Sequence, residues 1–304
     1  MSNKQRSSAK SGKSQTGPVT HSRPANARKL AEEQAAFEAR VRRNRTLRIG
    51  SIALVVLIVV AFFVVKMVGG GTAANASGAG VSPAAGTPIS SVITNKLRSI
   101  PLTSLTMATT GGLGTYPQAI DDPSLTAAGK PDLLYIGAEF CPVCATERWA
   151  MYVALSKFGT FSPQPGQIHS ALQDGDIPTL TFYGTTFTSR YLTFTPVETT
   201  TNQPEGNYYA ALQKPTATEQ QLWQSHTGES FPWLDFGGRM QLASAQFDPT
   251  ILEGQTFSNI VSEIGNNSTL IGADIDAASK VLIQSICSLT GGQPSSVCSA
   301  VGHG

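Results

Sequence analysis

The chain has 304 residues, 40% of them hydrophobic and only 14% charged, well below the roughly 25% charged of an ordinary soluble domain. The formal charge of +2 hides an asymmetry: residues 1–48 hold 12 Lys/Arg against 3 Asp/Glu, and the other 256 residues hold 10 against 17. Nucleic-acid binding is one reading of so basic a tail, but the long apolar run directly after it argues for a membrane instead.

Residues 1–23 are Ser, Lys, Gln and Gly with almost nothing apolar, and are expected to be disordered. Residues 25–45 set Glu32, Glu33 and Glu38 among Arg28, Lys29, Arg40, Arg42 and Arg43 on an Ala-rich background, the composition of a charged helix in solvent or against a membrane surface. Together, 1–48 read as a basic, largely disordered cytoplasmic tail. Residues 49–68 read as a transmembrane helix: Ile49 to Val65 carries no charge, and Lys66 can snorkel at the far edge. Arg42, Arg43, Arg45 and Arg48 place the N-terminal side in the cytoplasm and the C-terminal part outside. A cleaved signal peptide ending near Ala74-Asn75-Ala76 is the rival, but both its n-region and its h-region would be too long. Residues 69–88, rich in Gly, Ala and Ser, read as a flexible linker.

Residues 89–304 form one domain-sized unit. Val92 to Leu105 predicts a short helix interrupted by Pro101, and Asp121 to Pro131 a polar loop. Leu133-Leu134-Tyr135-Ile136 predicts a buried strand, and Val143 to Phe158 a helix with one apolar face, stopped by Gly159, Pro163, Pro165 and Gly166. Thr179–Tyr183 and Tyr191–Thr195 alternate like strands, and 202–216 reads as a polar loop. Thr218–His226 predicts a short helix. Phe231–Phe236, a Gly237-Gly238 turn and Met240–Ala245 predict a hairpin. Two helices come next, about Pro249–Ile264 and Ile271–Ser288, the second capped by Gly291-Gly292.

Between the buried strand and its helix lies Cys141-Pro142-Val143-Cys144. Pro142 suits a first helical turn, where the missing N–H costs nothing. A sulfur at a helix N-terminus meets unpaired amides and the positive dipole end, which favour thiolate, the reactive species in disulfide exchange. The second sulfur is close enough to resolve a mixed disulfide formed by the first. Cys141 is therefore the candidate nucleophile and Cys144 the resolving thiol, the two forming a redox disulfide.

Strand, Cys-x-x-Cys helix, mixed middle, proline-led hairpin and terminal helix is the order of a thioredoxin-like α/β fold. Ala138-Glu139-Phe140-Cys141 resembles the Ala-Glu-aromatic-Cys run of thioredoxins. Residues 89–304 resemble the domain of unknown function 929 family of membrane-anchored thioredoxin-like proteins. The resemblance rests on Leu134 to Ala145 with Arg148-Trp149-Ala150, and on Ile286 to Pro294 with Val297-Cys298. It implies a proline facing the two sulfurs and shaping a substrate groove, normally cis. Pro232, which leads the hairpin, is the first choice and Pro178 the second; either could instead be a trans proline at a strand start. The resemblance also puts Tyr135 where thioredoxins carry a buried proton-relay carboxylate. Glu139 is nearby, either catalytic or a surface acid paired with Arg148. With no His between the cysteines, a moderately reducing or intermediate potential is expected.

Cys287 and Cys298, near the end of the last helix and in the tail beyond its cap, suit a structural disulfide in an extracytoplasmic domain. Closing that loop adds up to about 3 kcal/mol. A second redox pair and a crossed pairing stay open. A four-cysteine zinc site is the metal reading, but the spacing lacks tight knuckles, and no His (His21, His169, His226, His303) adjoins a Cys. No metal and no cofactor are expected; no Gly-rich phosphate loop or nucleophile elbow is present. The sequence therefore favours a single-pass, N-in oxidoreductase. It would act on thiols or disulfides of exported proteins and, by analogy, be recycled by a quinone-linked membrane oxidoreductase. The rival is a membrane-tethered scaffold on a reused fold, with Cys141–Cys144 as a short staple.

Overall fold

The structure, a computed structural model, describes residues 85–302. The expected tail 1–48, the expected span 49–68 and residues 69–84 of the expected linker lie outside the described residues. Among the described residues no helix is long and apolar enough to cross a membrane.

In chain order, β1 (Thr87–Pro88) is followed by α1 (Ser91–Arg98) and α2 (Leu102–Met107), divided at Pro101 as its lost N–H requires. β2 (Gln118–Ala119), β3 (Thr126–Ala127) and β4 (Lys130–Gly137) lead to α3 (Pro142–Leu155). β5 (Gly159–Phe161), β6 (Gly166–His169), β7 (Pro178–Thr181), β8 (Phe187–Ser189) and β9 (Thr193–Glu198) form the mixed middle. Next come β10 (Thr200–Glu205), β11 (Tyr208–Ala211) and α4 (Ala217–Thr227), then β12 (Trp233–Phe236) and β13 (Met240–Leu242). α5 (Phe257–Glu263), α6 (Leu270–Leu289) and α7 (Ser295–Val301) close the chain.

β4 organises this mixed α/β fold. It runs parallel to β9, with Asp132 opposite Thr193 and Gly137 opposite Glu198, and antiparallel to β12, with Ile136 opposite Trp233. β13 and β2 extend the sheet beyond β12, and β3 pairs with the start of β4. Side chains alternate across a strand. Leu133 and Tyr135 therefore join the main core with α3 and α6, while Leu134 and Ile136 pack with Val197, Trp223 and Trp233 beneath α4. Burial on both faces explains the near-continuous apolar run.

α3 differs from the expected one-faced helix, because every residue from Cys144 to Leu155 is buried. Its polar members find partners inside, one guanidinium nitrogen of Arg148 excepted: Thr146 donates to Pro142 O at 2.9 Å, Glu147 accepts from the Gln246 N–H at 3.1 Å, and Arg148 pairs with Glu198. Ser279 Oγ on α6 donates to Ala150 O at 3.4 Å, and Trp149 lies 4.9 Å from Phe257.

Three further expectations need correction. Residues 202–216 are a loop only from 212 on: β10 and β11 pair as a hairpin across Gly206-Asn207, with a register shift before Pro204. Pro249–Ile264 is not one helix. A 3-10 turn over Pro249–Leu252 ends before Gly254 at φ +71°, and Thr256 caps α5 by accepting from the Asn259 N–H at 3.1 Å. The tail past Gly291-Gly292 is helical, as α7, and packs on α2 and α6. The cap itself is present: the Gly292 N–H donates to Cys287 O at 2.7 Å. Cys287 and Cys298 are joined by a disulfide with Cα atoms 5.5 Å apart, tying α6 to α7 rather than to a loose tail.

Candidate redox site

β4 ends at Gly137, and the chain turns over three residues into α3. Gly137 is required there: a Cβ would collide with the Tyr135 hydroxyl lying beneath it. The Cys141 N–H donates to Ala138 O at 3.3 Å, and Cys141 becomes the N-cap of α3, its Sγ accepting from the Cys144 N–H at 3.2 Å. The first-turn amide thus points at the first sulfur, as Pro142 at the helix start foretells.

Both cysteines are free thiols. Cys141 is 4% exposed and Cys144 fully buried. Burial pushes the Cys141 thiol up, but hydrogen bonds from the Cys144 thiol and N–H, the Arg148 charge and the Val143 N–H outweigh it, leaving Cys141 below the ordinary thiol value. Burial, the hydrogen bond to Cys141 and the proximity of its charge all push Cys144 far up. The two sulfurs are chemically unequal, one ready to be thiolate and the other held as thiol.

Glu139 is not a surface acid paired with Arg148. It is 1% exposed, and Thr181 donates to its Oε1 at 2.6 Å. Burial, then the charge of Glu198, push its pKa up to about 8. Strand alternation does not decide its direction, because β4 has already ended. Arg148 instead pairs with Glu198 at the end of β9, Nε to Oε1 and Nη2 to Oε2, each 2.9 Å, with both side chains fully buried. Burial works against the guanidinium charge and Glu198 restores it. Tyr135 is wholly buried, edge-on to Phe182 at 5.8 Å, and its hydroxyl has no partner among the described residues. Burial raises its pKa well above the usual phenol value.

The two candidate prolines separate. The Phe231–Pro232 peptide is cis, Phe231 packs on the cluster of Ala138, Cys141 and Cys144, and Trp233 follows in register with Ile136. Pro178 is outside the cis set and begins β7, where its carbonyl accepts from Trp149 Nε1 at 3.0 Å. Cys287 and Cys298 are committed to each other, so the four-cysteine zinc site is not assembled. Among the described residues no three or more metal-ligating side chains gather.

An aromatic cluster beside Cys141 was not foreseen. Phe140 stacks on Tyr209 at 4.2 Å and meets Tyr208 at 5.5 Å and Phe231 at 6.2 Å edge-on. Asp174 accepts from the Tyr209 hydroxyl, to which Gln173 donates at 2.7 Å, and Tyr208 stays 54% exposed. The Gly206-Asn207 pair before Tyr208-Tyr209 was the available hairpin signal. The signal for Glu198 was a lone charge ending a Thr- and aromatic-rich strand.

No curated protein and no solved structure matches this chain. Residues 116–208, which hold Cys141, Cys144, Glu139, Arg148 and Glu198, match the model of the family described as Domain of unknown function (DUF929), the family that the sequence resembles.

Proposed function

We propose that residues 89–304 are an extracytoplasmic thiol–disulfide oxidoreductase on a thioredoxin-like fold, acting on exported proteins through Cys141 and Cys144. The observation that carries this is the inequality of the two sulfurs: Cys141 accepts the Cys144 N–H at a helix start, while Cys144 is sealed beneath it. The parallel β4–β9 pair, joined by a crossover of α3 and β5–β8, the antiparallel β12–β13 hairpin and the long helix α6 after it support the thioredoxin-like reading. The uncharged stretch behind an arginine cluster, within 49–68, supports the extracytoplasmic side.

In the reducing direction, the Cys141 thiolate attacks one sulfur of a client disulfide. A Cys141–client bond forms and the client S–S bond breaks, and the departing client thiolate takes a proton from water. Cys144 then attacks Cys141 Sγ and gives up its proton. The Cys141–Cys144 bond forms, the mixed disulfide breaks, and the second client sulfur leaves as a thiol carrying that proton. Two electrons have passed from the dithiol to the client disulfide; oxidation of client thiols runs the same steps backwards.

A non-catalytic scaffold is the second reading, favoured by the 4% exposure of Cys141. Iodoacetamide alkylation of Cys141 across pH, with turnover of a small-molecule disulfide, separates the two. An alkylation midpoint clearly below the unperturbed value of about 8.5 with turnover supports the enzyme. An ordinary midpoint without turnover sinks it.

A further inference from the structure

Cys144 and Arg148 stand four residues apart on α3, hence on one face of that helix, and neither reaches solvent. The guanidinium is fastened twice. Nε and Nη2 grip both oxygens of Glu198, and Nη2 also donates to Ala138 O at 2.6 Å. The same carbonyl accepts the Cys141 N–H, so one side chain ties β9 to the turn that carries the nucleophile. Nη1 is buried without a hydrogen-bond partner among the described residues. A cationic N–H left unanswered in the interior is a standing cost, relieved only by an acceptor or a negative charge.

The titratable groups around it are Cys141 at the N-cap of α3, Cys144 on α3, Tyr135 on β4, Glu139 in the turn and Glu198 on β9, with Tyr208 on β11 nearer the two sulfurs. Glu198 is already bound. In the thiol–disulfide reaction, the groups that must gain charge are the two sulfurs.

We propose that Arg148, oriented by Glu198 and anchored on Ala138 O, is the positioning residue of the dithiol, supplying the counter-charge for the thiolate of Cys141 and then of Cys144. The resolving thiol is thereby activated through its anion, with no carboxylate at position 135. This inference rests on the oxidoreductase reading.

Because Glu198 offsets the guanidinium charge, removing either partner acts on the sulfurs with opposite sign. The test uses the full-length chain in detergent, with Cys141 alkylation midpoint and dithiol potential as readouts. Glu198→Gln, close in shape, leaves Arg148 uncompensated; the midpoint falls by about one unit and the potential becomes more oxidising. Arg148→Gln moves both the other way, and Arg148→Lys, which keeps the charge, restores most of the midpoint. Shifts in the same direction, or none, overturn the proposal even where wild-type Cys141 is a low-pKa thiol. A wild-type midpoint at the ordinary thiol value, without disulfide turnover, fails the oxidoreductase reading itself. Should Arg148→Gln not fold, the Glu198→Gln shift decides alone: a fall supports the assignment, and no change or a rise overturns it.

Discussion

Thr181 Oγ1 donates at 2.6 Å to Oε1 of Glu139, two residues before Cys141, and both side chains are buried in the interior. With its pKa pushed up to about 8, Glu139 keeps in the folded state a proton that the unfolded chain releases above about 4.5. Stability therefore falls as pH rises from about 4.5 to about 8. Glu147, also pushed by burial to about 8, and Asp235 and Asp276, pushed to about 6, act in the same direction. Lys157, pushed down to about 8, acts only above that window. Thermal unfolding should show a lower Tm near pH 8 than near pH 5, and Glu139→Gln should lose less over the same interval. A flat wild-type profile refutes the buried-acid account.

Replacing one sulfur at a time should expose the division of labour. Cys144→Ser should accumulate a mixed disulfide between Cys141 and a client or small-molecule disulfide, visible by mass spectrometry of the unreduced protein. Cys141→Ser should trap none, since Cys144 is fully buried and its thiol is held far above the ordinary range. Equal trapping by both variants would contradict the assignment of nucleophile and resolving thiol.

The disulfide between Cys287 and Cys298 lies far from the redox pair in sequence and joins two helices at cysteines that are themselves buried. Converting both to Ala should cost about 2–3 kcal/mol in denaturant unfolding. The alkylation midpoint of Cys141 should not change. A shifted midpoint would tie the two pairs into one redox unit.

Tyr135 keeps a buried hydroxyl that bonds to nothing among the described residues. Tyr135→Phe should therefore be neutral or stabilising by about 1 kcal/mol in equilibrium unfolding. A rise in stability together with a fall in disulfide turnover would show that the hydroxyl is retained for chemistry. A loss of stability would mean it has a partner after all.

The strand, turn and helix that carry the cysteines were readable because their determinants are local: an apolar run, a proline at the first helical position, and a Cys-x-x-Cys spacing. The Gly237-Gly238 hairpin was readable for the same reason, both glycines adopting positive φ. What escaped the sequence depended on distant partners. The burial of α3 from Cys144 to Leu155 is invisible while Glu147 and Arg148 look like surface charges, since their partners sit 99 and 50 residues away. The burial of Glu139 was hidden because β4 ends at Gly137, so strand alternation gives no direction for its side chain. The β10–β11 hairpin was hidden by polar, proline-containing composition, although Gly206-Asn207 marked its turn. α7 was hidden by its shortness, only seven residues after Pro294.

The enclosure of α3 from Cys144 to Leu155 has a consequence for the proposed disulfide exchange. A helix so packed cannot tilt or slide unless the surrounding core is opened. On the oxidoreductase reading, the sulfur pair would open and close on a stationary mount, and the change would stay within reach of Cys141. What a client could sense of it is the half-buried rim of Phe140 and Val143 with the exposed Tyr208. Oxidised and reduced forms would then be told apart by touch at that rim, with no movement relayed to the far side of the domain.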